Sequence, residues 1–188
     1  REIAGFTNLT IEFTDRFNVQ FGARFSNNRQ TFATSRNGPL SEVYFGSNPS
    51  LVEEVASSDD VFTYLVTPQF KISPDLMLYG RVATGYRPGG PNSGCGIVGI
   101  PCKYDADTTR NYEVGLKGDL FDRKLTIDAS VYYIDWQDIQ LQFLIFTPVF
   151  FSYLDNASRA KSEGVELSLE ARPFSGTTLS GALSWNNA

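Results

Sequence analysis

The sequence predicts an all-β protein whose strands form an antiparallel, up-and-down sheet of the transmembrane β-barrel type. Two observations support this prediction. Apolar and polar residues alternate over unusually long stretches, and tight turns alternate along the chain with long links. Because side chains on a strand point to opposite faces with a period of two residues, the alternation describes strands with one apolar and one polar face. The length of 188 residues suits a single domain.

The longest alternation lies between Asn111 and Gln142 and describes two strands joined by a tight turn at residues 120–123. The apolar positions of the second strand are Leu125, Ile127, Ala129, Val131 and Tyr133. We expect this strand to begin near Lys124 and to continue to Phe143. Strands of soluble domains usually have about 5–6 residues, whereas strands that cross a membrane need about 9–11. The length of the alternation therefore favours a membrane barrel.

The same hairpin unit recurs along the chain, which is expected to supply about eight strands. The tight turns lie at residues 14–16, 73–75, 120–123 and 174–176. The long links span Asn27–Asp59, Pro88–Thr108 and Leu144–Asn156. Short turns at one end and long loops at the other are typical of an outer-membrane barrel, in which the long loops face the outside of the cell.

The composition excludes several kinds of site. A net charge of −5 argues against a nucleic-acid partner, which requires a basic surface. The chain has no histidine, so catalysis by a nucleophile paired with histidine and histidine metal sites are excluded. We therefore expect no enzymatic activity, no metal centre and no cofactor. The sequence also has no apolar run long enough for a transmembrane helix, which barrel strands do not need.

Four segments of the sequence resemble the TonB-dependent outer-membrane receptors. They are FTDRFNVQFGARF (13–25), LMLYGRVATGYRPGGPN (76–92), NYEVGLKGDLFDRKLTIDASVYYIDWQDIQ (111–140) and NASRAKSEGVELSLEARPF (156–174). The resemblance implies a bacterial outer-membrane transporter for a scarce nutrient such as an iron–siderophore complex, energised by the TonB complex through an N-terminal plug. Such receptors are barrels of about 22 strands with a plugged lumen. Residues 1–188 are then expected to form an incomplete barrel domain, without the plug and the closing strands.

The two faces of the strands are assigned from their polarity. Apolar residues expected to face lipid are Leu125, Ile127, Ala129, Val131, Val165, Leu167, Leu169 and Leu183. Charged residues expected to face the lumen are Glu113, Lys117, Asp128, Glu166 and Glu170. These charges are interpreted either as a hydrated wall of mixed sign or as contacts to the plug or to a passing substrate.

The second long link contains Cys95 and Cys102, which enclose six residues. A disulfide between them fits an exported protein and would constrain the unfolded chain by about 2–3 kcal/mol on the entropic model. Two free thiols or a metal-binding pair are the alternatives. No histidine or further cysteine supports a metal.

Aromatic and arginine residues collect toward the long-loop end of the predicted barrel. Candidate ligand contacts are Tyr86, Arg87, Tyr104, Trp136, Phe146 and Phe150. The alternative is that those facing outward form an aromatic belt at the lipid interface. The apolar segment 143–153 is interpreted either as a continuing strand buried at the barrel rim or as a surface that contacts a ligand or a partner.

Two other architectures compete with the partial receptor. One is a small, self-closed barrel of eight strands with a structural or adhesive role. The other is a soluble all-β binding domain, which the strand length and the outward rows of Phe, Leu and Val disfavour. A partial barrel predicts an open sheet whose first and last strands, near Ile3–Phe13 and Leu179–Trp185, do not pair with each other.

Overall fold

A computed structural model describes residues 1–46, 50–92, 95, 99–146 and 151–188 of the chain. This part contains twelve strands and one short helix, α1 (Pro39–Phe45). The strands are β1 (Glu2–Glu12), β2 (Phe17–Arg36), β3 (Ser50–Ser73), β4 (Leu76–Arg87), β5 (Gly90–Pro91), β6 (Lys103–Tyr104), β7 (Asp107–Leu120), β8 (Leu125–Gln137), β9 (Gln140–Ile145), β10 (Phe151–Asn156), β11 (Arg159–Ala171) and β12 (Leu179–Asn187). No helix in the described ranges is long and apolar enough to cross a membrane.

Eight of the strands form one antiparallel sheet in the order β1–β2–β3–β4–β7–β8–β11–β12. The strands β5 and β6, and the strands β9 and β10, form two small separate sheets. Within the described residues β1 and β12 lie at opposite edges of the large sheet and are not paired. The predicted all-β, antiparallel, open sheet is therefore confirmed, and a closed eight-stranded barrel does not form.

The strand register gives the large sheet one apolar face, because residues directly opposite each other on neighbouring strands point to the same side. All eight residues predicted to face lipid lie on this face: Ala129 pairs with Leu167 and Leu167 with Leu183, for example. Val114 and Val131, also paired on it, expose 54% and 51% of their surface. Among the described residues the buried apolar side chains are Val55 and Ile100 alone. The sheet therefore has no apolar core of its own, and its apolar face needs an apolar environment.

The opposite, polar face carries all five charged residues predicted to face the lumen, as the pairing of β4, β7, β8 and β11 shows. Lys117 and Asp128 are directly opposite, and Lys117 Nζ donates to Asp128 Oδ2 at 2.7 Å. The hydroxyl of Tyr79 donates to Glu113 Oε1 at 2.6 Å, and the Tyr79 ring covers the neighbouring Gly115, where a Cβ atom would meet the ring at 2.5 Å. These contacts tie adjacent strands together on the polar side.

The short turns fix one end of the sheet, which we call the turn end. At Gly118 the backbone has φ of +150°, and a Cβ atom there would lie 2.0 Å from the carbonyl oxygen of Asp75. This close approach of two strands requires glycine. The following turn is compact because Phe121, Asp122 and Arg123 all adopt positive φ.

Two boundaries predicted from the sequence are wrong. The link expected over Asn27–Asp59 is mostly strand, since β2 continues to Arg36 and β3 begins at Ser50. These extensions pair through their backbones, and their few apolar residues, such as Phe32 opposite Val55, do not alternate regularly with polar ones, so the apolar alternation does not reveal them. The strand expected to reach Phe143 ends at Gln137, because Asp138 takes a left-handed φ of 54° and turns the chain into β9.

The apolar segment of the third link forms a separate hairpin of β9 and β10 instead of continuing β8. Phe143 lies opposite Tyr153, and the two rings stack with centroids 5.6 Å apart. Leu144 and Phe146 expose 50% and 69% of their surface. The hairpin thus keeps an apolar surface open above the sheet.

Candidate functional site

The long connections meet at the other end of the large sheet, which we call the loop end. Residues 88–106, which join β4 to β7, and residues 138–158, which join β8 to β11, are fastened to each other there. We call these two connections the loop cluster. Four largely buried or half-buried polar side chains hold it together. They are Asn92, Asp107, Gln140 and Asn156.

Asp107 anchors the cluster to the sheet. The residue is 2% exposed, and its Oδ2 accepts from Arg87 Nε at 3.0 Å and from the backbone N–H of Gln140 at 3.3 Å. The Arg87 guanidinium also donates to the Gln140 carbonyl at 3.1 Å. One carboxylate therefore joins β4, β7 and β9, and Arg87 compensates its charge in a place with little water.

The side chain of Gln140 contacts both ends of the first connection, residues 88–106. Its side-chain amide lies within hydrogen-bonding distance of the carbonyl oxygens of Arg87, Pro88 and Asp105, at 3.3, 3.0 and 2.9 Å. The residue is 7% exposed. Because these carbonyls lie at both ends of residues 88–106, the amide holds the two ends of that connection together beside the start of β9.

Asn92 joins the two connections farther from the sheet. Its amide group donates to the carbonyls of Pro101 and Leu154 at 3.0 and 2.7 Å, and its Oδ1 accepts from the Leu154 N–H at 2.9 Å. The side chain therefore satisfies both backbone groups of Leu154, as a neighbouring strand would. The Asn92 N–H also donates to the carbonyl of Cys102 at 2.9 Å.

Cys95 and Cys102 form the disulfide that the sequence predicts. We expect mass spectrometry of the non-reduced protein to show one intrachain link between them and no thiol that reacts with an alkylating reagent. The C95S/C102S variant should be cleaved faster by protease within residues 88–106, while its far-UV circular dichroism stays unchanged. Two alkylatable thiols in protein taken from the oxidising envelope would contradict this assignment.

The candidate ligand residues Arg87 and Trp136 come together on the polar face of the loop end. The guanidinium carbon of Arg87 lies 5.8 Å from the centre of the Trp136 ring, within the range of a cation–π contact. The indole Nε1 of Trp136 is buried and has no hydrogen-bond partner among the described residues. An arginine and an indole with an unused donor thus share one surface.

The other candidate residues are distributed around this pair. Tyr104 lies in β6 opposite Gly90, where a Cβ atom would come within 2.5 Å of the Tyr104 hydroxyl. Phe146 directly follows β9 and is exposed, and Phe150 lies outside the described residues. The structure therefore does not bring all six candidates into one group.

Tyr86 reaches the polar side even though strand alternation assigns it to the apolar face. Its hydroxyl accepts from Asn28 Nδ2 at 3.0 Å and donates to Glu2 Oε1 at 3.3 Å. The pairing of β3 with β4 ends at Leu65 and Ala83, and beyond it the Thr84 hydroxyl accepts from the Tyr64 N–H at 2.8 Å. The two strands separate at this level, which frees Tyr86 from strict alternation.

In the described part of the chain, no group of three or more Cys, Asp or Glu side chains is arranged so that it could hold a metal ion. The described residues of the loop end bring together an arginine, an indole and the apolar surface of β9 and β10. The residues that build it, above all Asn92 and Gln140, are single polar residues in irregular links, and no sequence pattern marks them.

Comparisons with known proteins agree with this architecture. Residues 1–188 match the family model described as TonB dependent receptor-like, beta-barrel. The pesticin receptor of Yersinia pestis is 31% identical over 171 residues, which are 90% of this chain and 23% of that receptor. The chain therefore spans about a quarter of the length of such relatives.

Solved structures show the same fold. The ferric yersiniabactin uptake receptor FyuA from Yersinia pestis superposes with a TM-score of 0.75 at 25% identity, over 98% of this chain and 26% of that one. The siderophore receptor PiuA from Acinetobacter baumannii gives a TM-score of 0.76 at 18% identity, over 99% of this chain and 25% of that one.

Proposed function

This chain belongs to the family of TonB-dependent receptor-like β-barrels, whose members are proteins of the bacterial outer membrane, and we propose that it forms part of the wall of a nutrient importer. Its unpaired edge strands β1 and β12 then continue into further strands of a wider barrel. The apolar face contacts lipid, and the polar face with Glu113, Lys117, Asp128, Glu166 and Glu170 lines the lumen. The loop end faces the outside of the cell.

The proposed cargo is a small iron chelate of the siderophore class, taken up with energy from the TonB complex. Relatives named for ferric yersiniabactin uptake and for siderophore reception support this class. In such receptors the contact to TonB is made by a plug region, which is outside these eight strands. The whole receptor, and not these strands alone, carries out the transport.

One observation carries the assignment of the ligand side: Arg87 covers the ring of Trp136 on the polar face at the loop end. A ferric chelate offers oxygen donors and flat organic groups, which arginine and indole contact well. The buried Asp107 accepts from Arg87 and keeps its guanidinium in place beside the ring. Tyr86, Tyr104, Phe146 and Phe150 are proposed to extend this contact surface.

The test compares the two tryptophans of the chain. In the full-length receptor, W136L should weaken the binding of ferric yersiniabactin by about tenfold or more, because an aromatic residue at the centre of a contact is a typical hot spot. W185L makes the same change on the apolar face, where Trp185 pairs with Val165, and should leave binding unchanged.

The readouts are equilibrium binding of the ferric chelate and uptake of radiolabelled iron by cells that depend on the receptor. Uptake should also require TonB. A wild-type receptor that neither binds nor imports any ferric chelate would contradict the proposed function, and equal effects of W136L and W185L would contradict the assigned site.

A further inference from the structure

Three basic residues occur on the apolar face, where bare charges are not expected. Arg110 and Lys161 lie on either side of Asp135 in one row across β7, β8 and β11, and Arg159 lies opposite Gln137 in the next row toward the loop end. The row toward the turn end contains the paired Tyr112 and Tyr133. Rows on one face are separated by two residues, or about 7 Å. The cations therefore lie immediately above an aromatic row.

These cations are only partly neutralised by their surroundings. Arg110, Arg159 and Lys161 are exposed, and none of them forms an ion pair with a carboxylate in the described ranges. Arg110 interacts with the Tyr112 side chain. The Oδ2 atom of Asp135, the acid between them, accepts from Gln137 Nε2 at 2.8 Å. The other nearby acid, Glu163, lies in the tyrosine row and accepts from Asn187 at 3.3 Å.

A second, independent feature lies directly below the cations. A groove of about 590 Å³ runs along the apolar face between the tyrosine row and the valine row beneath it. Its residues on that face are Val66, Pro68, Gly80, Val82, Tyr112, Val114, Val131 and Tyr133. Gly80 lacks a side chain, and so the wall is thinnest there. The groove is lined mostly by apolar side chains, so its polarity suits a hydrocarbon chain, and it is open on the side that we assign to lipid.

We propose that this groove and the three cations form one binding site for a phosphate-bearing lipid of the outer membrane. An acyl chain occupies the groove over Gly80, and the headgroup phosphate binds Arg110 and Lys161, with Arg159 above them. Arginine pairs with phosphate through two parallel N–H bonds, and tyrosines mark the level at which headgroups begin. The site is on the opposite face of the wall from the proposed ligand site, so lipid and nutrient do not compete.

The experiment is native mass spectrometry of the full-length receptor incubated in detergent with bisphosphorylated lipid A or with its monophosphorylated form. The wild type should retain the bisphosphorylated lipid, and R110Q/K161Q should retain it about tenfold less well, because the charge-assisted bonds to phosphate are lost. The monophosphorylated lipid should bind the wild type more weakly, because it brings one phosphate instead of two to a site with three cations. K71Q/K124Q removes the same charge from the turn end and should behave as the wild type.

A second variant tests the groove without touching a charge. A Cβ atom at Gly80 would lie 3.8 Å from Pro68 Cγ and 3.9 Å from the Glu113 carbonyl, which are ordinary contacts, so G80L is expected to place its side chain in the groove. It should reduce lipid retention, whereas G181L, on the same face at a position with no atom within 4 Å, should not. Equal lipid retention by all variants, or equal binding of both lipid forms, would overturn the proposal. Binding of ferric yersiniabactin by R110Q/K161Q and G80L should stay at the wild-type level, which separates this outcome from failure of the proposed transport function.

Discussion

Replacing Leu167 by arginine is expected to lower the free energy of unfolding of the complete barrel by about 2–4 kcal/mol. Leu167 lies in the middle of β11, paired with Ala129 on one side and Leu183 on the other, on the face that we assign to lipid. An arginine there must leave water for hydrocarbon or distort the wall to reach the interface. Reversible unfolding in denaturant, followed by tryptophan fluorescence in lipid vesicles, measures the loss.

The matched control is the neighbouring residue. Ser168 lies between Asp128 and Ala182 on the polar face, so S168R should cost much less than L167R. The pair A129R and S130R repeats the comparison on β8, where the two residues also point to opposite faces. Equal losses within either pair would show that the two faces do not differ in their surroundings and would contradict the orientation.

The apolar face of the sheet was predictable from the sequence because a strand with one apolar face follows a strict rule. Each strand must present apolar residues at every second position, and the register then brings such residues together, as with Val131 between Val114 and Val165. The turns are also evident in the sequence, because they interrupt this alternation. At the end of β7 and in the turn after it, Gly118 and residues 121–123 adopt positive φ. The faces and the turn end therefore follow from local patterns.

The loop end was not predictable in the same way. The outer parts of β2 and β3 pair polar residues such as Asn27 with Asp60 and Arg29 with Ser58, whose polar groups are satisfied by water or hydrogen bonds without any apolar period. The hairpin of β9 and β10 depends on the left-handed Asp138 and on partners far away in the sequence. Single polar residues such as Gln140 acquire their role only from the three-dimensional arrangement of carbonyl groups.

The sequence suggested which residues are candidate ligand contacts, but it did not reveal how they are arranged. Arg87 and Trp136 are 49 positions apart by numbering, and their contact depends on the adjacent pairing of β4, β7 and β8. The Tyr86 side chain does not lie on the apolar face, to which alternation assigns it, because β3 and β4 separate on the loop-end side of Leu65. Site geometry thus depends on irregularities that interrupt the regular sheet.

Removing the carboxylate of Asp107 is expected to loosen the loop cluster by about 2–3 kcal/mol. D107A leaves the buried backbone N–H of Gln140 without its acceptor and the Arg87 guanidinium without its counter-charge. The loss should stay below that of breaking a fully buried ion pair, because the Arg87 side chain is 51% exposed and can be hydrated. Amide hydrogen exchange at Gln140 and Leu154 should accelerate by roughly 30- to 160-fold, while the amides of β7 and β8 near the turn end stay protected.

D105A is the matched control for this prediction, because Asp105 takes part in the cluster through its backbone N–H and carbonyl groups, which the substitution retains. Its hydrogen exchange should resemble that of the wild type. In D107A the Arg87 side chain also loses the contact that holds it over Trp136, so binding of the proposed ferric chelate should weaken together with the loop cluster. If D107A and D105A exchange at the same rate, Asp107 does not anchor the cluster, and the position of Arg87 must depend on its contacts to Gln140 and Trp136 instead.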